Sequence, residues 1–367
     1  MELNLECAVN SLSYGQIAYG VLNELYERNI FPNIFARMNQ VEIGAFDKAS
    51  DRYKEQLKIG ISKSYLNYKK TTPYLNIWHI HGGSWAKVSE PSYLLTFHEL
   101  DSLTPSEVNI INSYNKVFVT SNYSKQVFED SGVTVPVIYI PMGFDSTHVY
   151  KLNRPYLTGQ ATVWSIIGKY ENRKHTKRAI QGWIKMYGNN PLHRLHLFIT
   201  NPFFKQEQMN QVFAEIFNNA PLPSNVTLLG YQPTNSLMND AFNATDIIID
   251  MSGAEALSLP SLNCVALGKH ALIHNCTAMK DWANSENAVL VEPSGIIPVY
   301  DGMFFRPNEL FNQGNIYTWS DSDYATGLKN VYSRWLQNKT NEVGKKLSET
   351  HSYKIGVDII LKEIYGN

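Results

Sequence analysis

At 367 residues the chain is long enough for two or three domains, and 44% apolar residues suffice to fill their cores, so a short peptide, a coiled coil and a disordered tail are excluded. Charged residues make up only 18%, and 32 Lys+Arg against 33 Asp+Glu leave a formal net charge of -1. No global field draws the chain to nucleic acid or membrane, so such a partner would need a local patch.

Short apolar runs alternate with helix-length amphipathic segments, the pattern of a parallel sheet wrapped by helices. In the first half, strands are predicted at 4–9, 33–37, 75–80, 93–97, 116–120 and 137–140, and helices at 16–28, 106–113 and 124–131, the last closed by Gly132. Residues 46–70 interrupt this rhythm. They hold Lys48, Arg52, Lys54, Lys58, Lys63, Lys69 and Lys70 against Asp47, Asp51 and Glu55, seven minus three leaving a local excess of four positive charges. Such a patch suits an anionic acceptor or surface, and a merely solvated helix face has the same composition. Pro155 and Gly159 mark 148–160 as a linker. The rhythm then restarts, with strands at 162–167, 195–200, 226–229, 246–250, 271–274 and 288–291 and helices at 176–187, 206–219, 235–243 and 259–267. Residues 321–363 read as helical and able to brace both units. The fold class is therefore α/β, with two Rossmann-like domains whose strand ends face each other across a cleft, where ligands of open α/β sheets bind.

Two stretches carry chemistry. In the first, strand residues 247–249 run into a loop holding Glu255, and a helix follows near Leu259, with Pro260 in its first turn. Backbone N–H groups of Ser258 and Leu259 at that helix tip suit a phosphate, and Glu255 suits sugar hydroxyls; a capping carboxylate would look the same. In the second, Gly168-Lys169 and Lys174 flank a turn at a strand's carboxyl end, with Arg173 close by. Their cationic groups are placed to converge on one diphosphate, although a solvated basic loop shares the composition. His79 and His81 lie on one side of a predicted strand with no third ligand at useful spacing, so no metal site is expected. Cys7, Cys264 and Cys276, without a Cys-x-x-Cys pair, suit a reducing compartment. Glu2 and Glu6 stand where a leader peptide would be basic, and a cytoplasmic protein is expected.

Together these stretches resemble the donor domain of retaining nucleotide-sugar glycosyltransferases of the GT-B fold, most of all family 4. That family's Gly-Arg-x4-Lys element reads Gly168-Lys169-x4-Lys174 here, and its Glu-x7-Glu element reads Glu255-x7-Asn263. Thr120-Ser-Asn-Tyr-Ser124, Ile140-Pro-Met-Gly-Phe-Asp145 and Val226-Thr-Leu-Leu-Gly-Tyr231 are similar to further segments of the family. The resemblance implies an acceptor-side domain over 1–150, a donor domain over 160–345 and a C-terminal helix over 346–367 crossing back to the first. It implies transfer of a hexose-type sugar with retention from a nucleotide diphosphate co-substrate, with no obligatory metal or other cofactor, to an acceptor left open among glycan, lipid, protein, small molecule and nucleic-acid base. Lys169, Arg173, Lys174, Ser258, Leu259 and Gly15, the last in the turn after the first strand, would hold the phosphates. His98, Glu255 and Lys174 would be catalytic, and Asn263 and Tyr231 would meet the nucleoside. Lys169 in place of Arg loses bidentate geometry, and Asn263 replaces a carboxylate by an amide that still accepts from a hydroxyl. A non-catalytic nucleotide-sugar or glycan-binding protein is the alternative, and a nucleotide-sugar epimerase a more distant one.

Overall fold

The first apolar run, β1 (Asn4–Val9), turns through Asn10 into α1 (Ser13–Glu27), and β2 (Asn33–Val41) returns parallel to β1. A computed structural model describes residues 1–153 and 161–366. Next comes α2 (Asp51–Leu66), capped at its N-terminus by Ser50, whose side chain accepts from the Tyr53 N–H. This helix corrects the expectation that 46–70 breaks the rhythm. Low apolar content hid it, since only Tyr53, Leu57, Gly60 and Ser64 are buried along it. Strands β3 (Tyr74–Ile77), β4 (Ser92–Thr96), β5 (Lys116–Val119) and β6 (Val137–Tyr139) complete the sheet with α3 (Pro105–Asn112) and α4 (Asn122–Asp130) between them. All pairings are parallel, in the order β2-β1-β3-β4-β5-β6.

The chain leaves this unit stitched to the second. Tyr150 N donates to Asn239 Oδ1 (3.1 Å) and Leu152 N to Asn243 Oδ1 (2.9 Å). Of the linker expected at 148–160, residues 154–160 lie outside the described residues. The second sheet is built from β7 (Thr162–Lys169), β8 (His193–Thr200), β9 (Val226–Leu228), β10 (Ile247–Asp250), β11 (His270–His274) and β12 (Val289–Val291). Its order is β12-β11-β10-β7-β8-β9, again all parallel, with the strand order reversing between β7 and β10. Helices α5 (Thr176–Tyr187), α6 (Gln206–Ile216), α7 (Asn235–Ala244), α8 (Leu259–Ala266) and the short α9 (Met279–Trp282) connect these strands.

Two features depart from the sequence reading. An antiparallel hairpin, β13 (Gly295–Pro298) with β14 (Asn315–Thr318), follows the second sheet, and its long connection reaches the first unit. Thr104 Oγ1 donates to the Leu310 carbonyl (2.6 Å), Ser102 Oγ donates to that of Gln313 (3.1 Å), and Asn312 N donates to Glu107 Oε1 (3.0 Å). The helical tail is also broken, into α10 (Asp321–Gln337), the one-turn α11 (Leu347–Thr350) and α12 (Tyr353–Tyr365). The last helix lies on α1 and is pinned by Arg28 to Asp358 (2.7 Å) and by Lys116 to Glu363 (2.7 Å).

One apolar cluster runs from Leu5, Leu22 and Leu75 through Met142 to Leu262, Val265 and Val357, so the core is continuous across the units. No helix among the described residues is long and apolar enough to cross a membrane. All three cysteines are unpaired and buried.

Candidate functional site

The site forms where β7 and β10 end. Past β7 the chain makes a single tight turn at 172–174 and enters α5 through His175 in a left-handed conformation. That turn packs on the loop after β10: Gly253 N donates to the Arg173 carbonyl (2.7 Å), and β14 closes the other side, Tyr317 N donating to Gly253 O (2.9 Å). A Cβ on Gly253 would stand 2.3 Å from Tyr317 O and 2.6 Å from His175 Nε2, so only glycine fits between these three segments. The consequence is that Glu255, two residues on, is aimed at the 172–174 turn.

There Arg173, Lys174 and Glu255 meet. Glu255 Oε1 accepts from Lys174 Nζ and lies 3.0 Å from Arg173 Nη1, while Arg173 also donates to the Ala254 carbonyl (2.5 Å). The Arg173 Nη2 group lies 2.9 Å from Glu171 and 3.6 Å from Glu99 of the first unit. Lys169 pairs with Glu171 and is flanked by the Phe304 and Phe203 rings, whose centres lie 4.6 and 5.4 Å from its ammonium. Burial opposes ionisation of Glu255, but Arg173 and Lys174 outweigh it and hold the carboxyl at about 2. Glu171 is likewise held below the usual range, by Arg173, Lys169 and Lys174 against its burial. Burial alone would weaken the Arg173 charge, and Glu255, Glu171 and Glu99 raise its pKa instead.

Helix α8 begins right behind this cluster. Its N-cap, Ser258, is left-handed (φ +60°), no side chain caps it, and its Oγ donates to Asp250, which Ser261 Oγ also reaches (2.8 Å). Asn263, buried in the same helix, spends its amide N–H on the Leu259 carbonyl (2.9 Å) and leaves Oδ1 buried without a partner. The first unit touches this loop directly: Thr120 Oγ1 donates to the Ala256 carbonyl (2.8 Å), and Gly143 lies against Leu257 and Leu259.

The structure thus brings Lys169, Arg173, Lys174 and Glu255 together beside Ser258 and Leu259. His98 lies one residue from Glu99, buried, its ring edge-on to Phe128 (5.6 Å) and its Nε2 unpartnered; burial lowers its pKa and keeps it neutral. Two expectations are corrected, at Gly15 and at the His79–His81 pair. Gly15 is the third residue of α1, not a turn residue, and it permits close approach of the Asn10 carbonyl, 2.0 Å from where a Cβ would lie. Arg173, expected among the phosphate ligands, is buried beneath the loop, where Nη1 serves Glu255 and the Ala254 carbonyl and Nη2 is turned to Glu171 and Glu99. His79 and His81 lie beyond the end of β3, their rings stacked 5.0 Å apart in a turn. Tyr231 is 54% exposed just past Gly230 and joins no contact to the ion cluster among the described residues. The counter-ions Glu99 and Glu171 were missed, although Glu171 two residues from Lys169 was a readable signal.

No protein-family model matches the sequence, and no curated protein matches it. Among solved structures, a glycosyltransferase from Rickettsia africae superposes with a TM-score of 0.68 at 14% identity, over 100% of this chain and 99% of that one. The sucrose-phosphate synthase of Thermosynechococcus elongatus gives 0.65 at 12% identity, covering 100% and 98% of the two chains. HepE of Anabaena, in complex with UDP-glucose, gives 0.64 at 12% identity with the same coverage. The two parallel sheets, their strand orders and their facing loops give this chain the GT-B fold that these structures share.

Proposed function

We propose that the protein is a glycosyltransferase that moves a hexose-type sugar from a nucleotide diphosphate donor to an acceptor, with retention of anomeric configuration. The observation that carries this reading is the convergence of Lys174 and Arg173 on Glu255 at the uncapped tip of α8. When the anomeric bond breaks, negative charge builds on the leaving phosphate. Lys174, Lys169 and the N–H groups at Leu259 would stabilise it as fixed, preorganised charge, with Arg173 holding the loop in register and offering its Nη2 edge to the phosphate. In this scheme the counter-charge comes from side chains, and the donor is the only co-substrate. Glu255, ionised at neutral pH, would accept hydrogen bonds from sugar hydroxyls, and the neutral His98 imidazole would hold another from the opposite unit. The unpartnered Asn263 Oδ1 would accept from the ribose. Tyr231 is assigned to the base, and the loops of 1–150 to the acceptor. The basic face of α2 offers a contact for an anionic acceptor or surface, with a solvated helix face the plainer account, and three free cysteines suit the cytoplasm.

The UDP-glucose held by HepE makes UDP-glucose the first probe. Nucleotide sugars carrying UDP, GDP and ADP should be screened by thermal shift, where a bound donor raises the melting temperature, followed by release of the nucleoside diphosphate. One donor should stabilise the protein and be turned over, with Lys174→Ala lowering turnover by about 10²–10³-fold and Glu255→Gln comparably. Turnover equal to wild type in both variants would move the donor site elsewhere, and binding without any donor hydrolysis or transfer would make the protein a non-catalytic binder.

A further inference from the structure

The cation cluster is electrically full. Lys169, Arg173 and Lys174 contribute three positive charges, and Glu99, Glu171 and Glu255 three negative ones, all joined by ion pairs. A donor brings a doubly ionised pyrophosphate to this neutral set, and in a desolvated site uncompensated like charges repel strongly. Full charge compensation of the diphosphate by these cations then requires one carboxylate to yield when the donor binds.

The three carboxylates are not held alike. Glu171 and Glu255 belong to the same unit as the cations, their side chains are 5% and 7% exposed, and each lies within hydrogen-bond range of a cation. Glu99 comes from the other unit, is 29% exposed, and meets Arg173 only at 3.6 Å, beyond a hydrogen bond. Its backbone is nevertheless fixed over the cluster. Leu100 packs with Ala254, Val299, Phe305 and Ile316, and Asp101 accepts from the Asn315 backbone (2.7 Å) and side chain (2.9 Å). Only the Glu99 side chain has to move.

We propose that Glu99 is an internal competitor for the diphosphate: it pairs with the Nη2 edge of Arg173, yields that place to the pyrophosphate, and retakes it as the product leaves. This inference rests on the donor-phosphate reading above and assigns Glu99 a role that reading does not need. It makes Glu99 a determinant of donor affinity and of product release, contributed by the acceptor-side unit. The surroundings agree. Burial raises the Glu99 pKa, Arg173 and Lys169 oppose that rise, and Glu255 and Glu171 add to it, while Tyr14 also faces the carboxyl. Because protonation empties the competitor of charge, anion affinity is highest below the Glu99 pKa and falls as pH rises through it.

The test is calorimetric titration of inorganic pyrophosphate, which needs no knowledge of the base or sugar, into wild type, Glu99→Gln and Lys174→Ala. Glu99→Gln should tighten binding by about five- to tenfold, and Lys174→Ala should weaken it. The ratio of wild-type to Glu99→Gln dissociation constants should grow with rising pH, a comparison in which pyrophosphate's own titration cancels. Unchanged or weaker binding in Glu99→Gln overturns the proposal while a weakened Lys174→Ala leaves the donor site standing. Insensitivity to Lys174→Ala, or no binding by any variant, overturns the donor-phosphate reading and this one with it. If Glu99→Gln does not fold, Glu99→Asp, which withdraws the charge by one methylene, decides the matter: tighter binding supports the proposal and unaltered binding refutes it.

Discussion

Asn263 shows how one side chain separates binding from stability. Its Oδ1 is buried without a partner, a state that costs free energy unless a ligand completes it. Asn263→Leu removes the orphan acceptor along with a bond that only duplicates helix hydrogen bonding at Leu259. It should leave the melting temperature unchanged or higher, while weakening donor binding by about two- to tenfold, the worth of one neutral hydrogen bond. Calorimetry on the donor found by the screen, paired with thermal melting, checks both halves. A fall in stability with unaltered affinity would make Asn263 a packing residue. Ser258 belongs to the same logic: a serine at φ +60° is strained, and the strain is retained where its hydroxyl and Ser261 hold Asp250 behind the tip of α8.

Elements take their places through close approaches that single residues allow. Along α1, Gly20 faces Tyr353 of α12, whose ring carbons would lie 2.6 Å from an added Cβ. Gly20→Ala must push the C-terminal helix off the first unit, at a cost of about 1–3 kcal/mol, read as a lowered urea midpoint. An unshifted midpoint would show that α12 adjusts freely and braces nothing. The hairpin β13–β14 does for the loops what α12 does for the helices. Its connection ties 101–107 to the second unit, and Phe304 within it covers Lys169, so the basic loop is both screened and oriented. Nothing in 292–320 alternates cleanly enough to announce a hairpin. Its two strands have mixed faces, with Ile296 and Ile297 both exposed.

At the scale of the whole molecule, acid should act in two steps. Burial, chiefly, holds His79 at about 3 and His274 and His351 each at about 4, against 6.5 when unfolded. Below pH 6.5 the unfolded chain takes up protons that the fold refuses, so stability falls from there toward 4. Glu255 has the opposite chemistry and the same direction of loss: its folded value near 2 lies below 4.5, so its contribution is intact above 4.5 and disappears as pH drops toward 2. Melting temperatures should be flat above about pH 6.5 and decline in acid, with His274→Asn shallowing the upper step. A flat profile down to 4 would mean these histidines are protonated in the fold.

The amino-acid sequence by itself determined the alternation of apolar runs and amphipathic helices, hence two parallel α/β units, and it placed Lys169, Arg173, Lys174 and Glu255 at strand ends, because both are matters of local period and short spacing. It carried no trace of the pairing of Glu99 with Arg173, of the hairpin reaching over 101–107, or of Gly15 as a packing residue inside α1. Those depend on which strand ends the sheet order brings side by side, and electrostatic partners separated by 74 residues (99 to 173) leave no periodic mark along the chain. Only the tertiary structure decided which carboxylates neutralise which cations, and so which of them is free to move aside for a ligand.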